Sequence, residues 1–177
     1  MTGAESAENP ATPGEHGREH DDERVRGTET IDVVEPAVER EDVDATGRVG
    51  AVAYPYLVYQ ASVSIPRRFG GDRETEYVVS LDCSRRMALR ADQRPETETR
   101  TVEDVLVLPA EIDETQAHEM ARRSAFDWTL RTVSLSSSPE IELGEPVAAY
   151  KLFWLASRPD GDVVVDSVRG TERPLAE

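Results

Sequence analysis

Between Leu57 and Cys83 the chain alternates so regularly that one local structure fits it. Leu57, Tyr59, Ala61, Val63 and Ile65 fall on one parity, and Gln60, Ser62 and Ser64 on the other. That is the period of a strand with one buried face. Pro66-Arg67-Arg68-Phe69-Gly70-Gly71-Asp72-Arg73 supplies a turn, with glycines for positive φ. Tyr77, Val79, Leu81 and Cys83 then alternate with Glu76, Ser80 and Asp82, which predicts a hairpin.

Asp92–Thr101 reads as a polar, proline-containing loop, and Val105–Leu108, stopped by Pro109, as a short strand. Asp113-Glu114-Thr115-Gln116 is a capping box. Behind it Ala117, Met120, Ala121, Ser124, Ala125 and Trp128 keep helical spacing, so a helix is expected over about 112–131. After a Ser134–Pro146 connection, Ala148–Ser157 is strongly apolar, Asp160-Gly161 marks a tight turn and Val163-Val164-Val165 begins a partner strand.

Residues 1–47 differ in kind. They hold 14 acids against four arginines and no aromatic residue, and their few apolar residues show no sustained period. Too little surface can be buried there to offset backbone ordering, so a disordered acidic arm is expected. The expected fold is therefore α+β over 48–172: an antiparallel sheet from two similar hairpins, one principal covering helix and a short tail at 173–177.

Charge and cysteine use narrow the classes further. The chain carries 36 Asp and Glu against 20 Lys and Arg, a net of -16, and Lys151 is the only lysine. Acidic surfaces almost without lysine resemble the soluble proteins of extreme halophiles. Carboxylates hold water and cations there, and salt cuts self-repulsion by shortening the Debye length to about 3 Å at 1 M. The charge disfavours non-specific nucleic-acid binding, which draws on exposed cations. Cys83 alone excludes an internal disulfide, no run approaches a membrane span, and Met1–Glu5 lacks a signal-peptide pattern. A cytoplasmic location is expected.

The two hairpins echo each other. Ala53-Tyr54-Pro55-Tyr56-Leu57-Val58-Tyr59 overlays Ala149-Tyr150-Lys151-Leu152-Phe153-Trp154-Leu155, and Val79–Arg86 overlays Val163–Gly170 with Asp82 on Asp166. A duplicated hairpin accounts for this. The second copy, with Asp160-Gly161, Val163-Val164-Val165-Asp166 and Gly170, is similar to the closing hairpin of PepSY-type domains. The wider plan resembles uncharacterised archaeal proteins with a Tyr-Pro-Tyr strand, an Asp-ended strand and a Leu-Pro-preceded helix. These resemblances imply a binding or inhibitory module and carry over no catalytic residue.

Catalytic signatures are sparse. Asp42-Val43-Asp44-Ala45-Thr46 looks like the nucleophile loop of haloacid-dehalogenase-type phosphatases, but Val38–Glu41 cannot be the buried strand that such a loop needs. His16 and His20, four apart, lack a rigid support for a metal. Cys83 faces the core parity and lacks a visible activating base. Asp82 and Asp166 either pair across a site or each cap the turn that follows, and His118 on the helix is the remaining general-base candidate. No cofactor or metal is expected.

Three functional readings follow. The first is a non-enzymatic accessory or protein-binding domain of a halophilic archaeon, with another protein or a second copy of itself as partner. Its candidate surface includes Tyr54, Tyr56 and Trp154, because both parities of Ala149–Leu155 are apolar. The second is a nucleic-acid-associated protein using the Arg67, Arg68, Phe69 and Arg73 tip. The third is a hydrolase using Asp82, Asp166 and His118.

Overall fold

A computed structural model describes residues 26–133 and 138–175. Its centre is one long strand, β2 (Val49–Ile65), whose two edges recruit four partners in succession. On one edge lie β7 (Val147–Ala156), opposite residues 49–58, and β6 (Glu140–Leu143), opposite residues 61–64. On the other lie β5 (Thr97–Val107), in parallel with residues 51–53, and β3 (Arg73–Asp82), opposite residues 56–65. The nine-stranded sheet is completed by β1 (Gly27–Val34), β4 (Met87–Ala91), β8 (Val163–Asp166) and β9 (Glu172–Pro174). The one helix among the described residues is α1 (Glu114–Thr132).

The sheet is mixed, which corrects the antiparallel expectation. β2 pairs β5 in parallel, and β1 meets β7 in a parallel bridge between Val33 and Tyr150. A bulge between Gly27 and Glu29, with Asp104 opposite at φ 49°, lets β5 leave β1 and cross to β2. β2, β5, β1 and β7 thereby close on themselves around one core of Val33, Ala51, Ala53, Val102, Val105, Leu152 and Trp154.

The odd-numbered side of β2 also serves a second core. Tyr59, Ala61, Val63 and Ile65 pack with Tyr77, Val79 and Leu81 of β3 against Ala117, Ala121 and Ala125 of α1. The alanines recur every fourth residue, a small-residue stripe that brings the helix backbone close to the sheet. Burying Leu81 or Val79 there stabilises by about 1.5–3 kcal/mol each. The capping box forms as expected: Gln116 N donates to Asp113 Oδ1 at 2.8 Å, and Asp113 N donates to Gln116 Oε1 at 3.1 Å.

Three expected boundaries move. Residues 27–47 are ordered: β1 is a full strand, Val33 is 0 % exposed, and Ala37 N and Val38 N both donate to Ser167 O. The rest of the expected arm, with His16 and His20, lies outside the described residues. The expected loop at 92–101 becomes strand from Thr97. Arg173 and Pro174, expected as tail, belong to β9. The physical reason is common to all three. These edges are held by ladder pairing and polar cross-strand pairs rather than by an apolar period; Thr30 bonds Thr101 at 2.9 Å, and Thr99 Oγ1 donates to Asp32 at 2.5 Å.

Candidate functional site

The even-numbered side of β2 faces away from both cores and forms the floor of a trough. Tyr56 and Val58 lie on it with Ser80 of β3 and Lys151 of β7; β4 and the segment to Glu96 make one wall, and Val168 and Arg169 stand on the other. This cleft encloses about 650 Å3. Past Tyr56, Leu89, Lys151 and Arg169, which line both parts, it continues into a hollow of about 240 Å3 bounded by Arg85, Phe153, Asp166 and Arg173.

Two aspartate turns build the polar part. Asp82 ends β3 and its Oδ1 accepts from Ser84 N at 3.1 Å and Arg85 N at 2.9 Å. Asp166 ends β8 and its Oδ1 accepts from Val168 N at 3.0 Å and Arg169 N at 3.1 Å. Each turn then passes through a left-handed residue, Arg86 at φ 54° and Gly170 at φ 66°. The second oxygens meet the floor: Tyr56 Oη donates to Asp82 Oδ2 at 3.2 Å, and Lys151 Nζ donates to Asp166 Oδ2 at 2.7 Å. Asp82 is 1 % exposed and is also approached by Arg85 at 3.7 Å. Burial, then the Asp82 charge and hydrogen bond, hold the Tyr56 phenol well above its ordinary value, so it stays a neutral donor.

Aromatic rings carry the rest. Tyr54 meets Phe153 edge-on at 5.1 Å, and the Arg85 guanidinium lies 4.2 Å above the Tyr54 ring. The strand overlay read from the sequence is one residue out. Tyr56 stands opposite Asp82 and Phe153 opposite Asp166, so Phe153, not Leu152, answers to Tyr56.

The expected site residues separate into four places. Asp82 meets the trough through its bond to Tyr56 and Tyr54 through its contact with Phe153, while Tyr56 and Asp166 line it. Trp154 does not: it is 2 % exposed inside the closed core, donating from Nε1 to Val38 O at 2.8 Å, and offers no surface to a partner. His118 lies on α1 across the sheet, 6.1 Å edge-on from Tyr59, so it cannot act with Asp82 and Asp166. Arg67, Arg68, Phe69 and Arg73 form an exposed tip at the far end of the β2–β3 hairpin. Phe69 there is 90 % exposed, and none of the three arginines forms an ion pair among the described residues.

Cys83 is buried in the helix-covered core, where burial pushes its thiol up and away from thiolate reactivity. Asp42 and Asp44 sit in and after a short 3-10 turn, Arg40–Asp42, where Asp44 O accepts from Arg158 Nε at 2.8 Å. Among the described residues no three His, Cys, Asp or Glu side chains converge as metal ligands, and no helix is long and apolar enough to cross a membrane.

Lys151, Phe153, Arg85, Arg169 and Arg173 were not singled out by sequence as one site. The available signal was the lysine itself, alone among twenty basic residues and on the same strand parity as Phe153. Compared with family models, with curated proteins and with solved structures, the chain matches none.

Proposed function

We propose that this chain is a non-enzymatic accessory domain of a salt-loving archaeon that binds another protein through its trough. The observation that carries this reading is the trough's own make-up: Tyr56 and Val58 on its floor and Leu89 on its wall, set beside Arg85, Lys151, Arg169 and Arg173. Apolar surface and convergent cations in one concavity suit recognition. Both aspartates are engaged in holding turns and in bonds to Tyr56 and Lys151, so neither stands free as a hydrolytic base. The acid excess with a single lysine supports the saline habitat, and the matching Asp turns support an origin of the two hairpins by duplication.

The test is capture from cell extract held at multimolar KCl, comparing the full chain with Leu89→Asp. One protein partner that survives nuclease and is lost with Leu89→Asp is the expected result. Equal recovery on both chains removes the trough from the reading.

A second reading rests on the arginines of the β2–β3 tip, which form no ion pair among the described residues and suit phosphate clamping with Phe69 stacked on a base. Recovery of nucleic acid that is lost with Arg67→Gln and Arg68→Gln together would put that reading first.

A further inference from the structure

Three cations meet at one buried ring. The Arg85 guanidinium, the Lys151 ammonium and the Arg173 guanidinium lie 6.0, 5.1 and 5.9 Å from the centroid of Phe153, and Arg169 lines the same hollow. Two carboxylates answer them, Asp82 and Asp166, each with one oxygen already given to its own turn. Glu172, also at the hollow, is held by Arg158 through two bonds of 2.8 and 2.7 Å. The hollow is therefore locally positive in a chain whose net charge is -16. Asp166 and Asp82 offset Lys151 and Arg85, and the remaining charge of Arg169 and Arg173 favours a further anion there.

Lys151 adds an independent sign. An ammonium carries three donors, and only one is engaged, by Asp166 at 2.7 Å, although the side chain is 16 % exposed. Among the described residues the other two N–H groups have no acceptor. In addition, neither Arg169 nor Arg173 forms an ion pair there. Directional donors and an aromatic platform stand beside a cleft that is apolar where it joins the hollow, at Tyr56 and Leu89, and carries Glu35, Arg90, Asp92 and Glu96 elsewhere.

The geometry points to an oxyanion subsite in the Phe153 hollow, taking a carboxylate or phosphate borne on an apolar body that lies along the larger cleft. The inference rests on the trough being a binding surface and names what that surface recognises: in a partner protein, an acidic residue beside an apolar one. The same chemistry in a free aryl carboxylate or phosphate would fit equally.

Lys151 makes the test specific. As the only lysine, it gives a single side-chain signal when the full chain is labelled with 15N-lysine. Benzoate, phenyl phosphate and the capped peptide Leu-Glu-Leu are titrated at constant multimolar KCl. A saturable shift of the Lys151 Nζ signal is expected with at least one of them. Arg173→Gln and Arg169→Gln should each weaken it about tenfold, the usual size for a charge-assisted hydrogen bond, with circular dichroism confirming the fold. Arg122→Gln, on the helix across the sheet, leaves it unchanged. Saturation by the peptide places the oxyanion in a partner chain, and saturation by the aryl compounds alone places it in a small molecule.

Shifts that grow linearly, that equal those of added chloride, or that persist undiminished in both arginine variants overturn the subsite. Protein capture that survives such a failure shows a trough acting through apolar surface alone. Saturation without any captured protein keeps the subsite and removes the partner reading.

Discussion

Asp82 and Asp166 solve the same local problem twice, each folding its carboxylate back onto two N–H groups of the turn it begins. The fourth residue after each must take left-handed backbone, which costs an L-residue roughly 1–2 kcal/mol and glycine far less. Gly170 meets this need, and a Cβ there would lie 3.3 Å from Val38 Cγ2. Gly170→Ala should therefore lower stability by about 1–2 kcal/mol, read from the urea midpoint. Arg86 carries the same φ without the exemption, and its one ion pair among the described residues is an exposed contact with Glu111 at 3.7 Å. Arg86→Gly should raise stability by about 0.5 kcal/mol, the strain relieved less the entropy glycine loses on folding. Elsewhere, Arg100 grips Glu39 through bonds of 2.5 and 3.0 Å and holds its carboxyl below the ordinary 4.5. A lowered folded pKa means stability present above the unfolded value and lost as pH falls through the folded one. The chain should lose more stability than Glu39→Gln on acidification below about pH 4.5. The partly exposed pair limits the difference to about 0.5 kcal/mol. The turn-capping role of both aspartates was legible in their own sequence positions. The Lys151–Asp166 bond was not, because it depends on which strands become neighbours.

Elements show the same divide. The β2–β3 hairpin, the capping box and the apolar strand at 147–156 follow from local period and turn chemistry, and all three stand where those signals put them. β1 does not follow, since Gly-Thr-Glu-Thr-Ile-Asp-Val-Val buries only its last two residues and otherwise holds to β5 through backbone and threonine pairs. Its partner β5 hides in the same way behind Thr97, Thr99 and Thr101, β-branched but polar. Deleting residues 1–47 removes β1, the fully buried Val33 and the Val38 carbonyl that receives Trp154. That chain should lose cooperative unfolding in a urea titration. Deleting only residues 1–25 takes away none of these contacts and should leave the transition in place. Trp154→Ala should cost about 3–5 kcal/mol as a cavity in the closed core, so its effect is on folding and not on capture.

At the scale of the whole molecule, the sheet separates two tasks. One side is spent on cores, with α1 over half of it; the other carries the trough, where positive groups collect against the sign of the chain. A net charge of -16 repels itself more strongly as salt is withdrawn. The melting temperature should therefore rise with KCl, and a chain equally stable without salt would argue against adaptation to brine. Composition made this charge state visible from the outset. It could not locate the trough, which arises where two aspartate turns from distant parts of the chain arrive on one face.

The seventeen residues of β2 are bonded along both edges and supply both cores. Neither core can open while that strand stays shut. Its amides between Ala51 and Val63 should exchange with deuterium last, at the rate of complete unfolding, while β4 and β9 at the sheet margins exchange early. Assembly inherits the same dependence. Half of the β2 ladder waits for residues 147–156, about a hundred positions downstream, so the first core closes only when nearly the entire chain is available, and a long search precedes a single abrupt step.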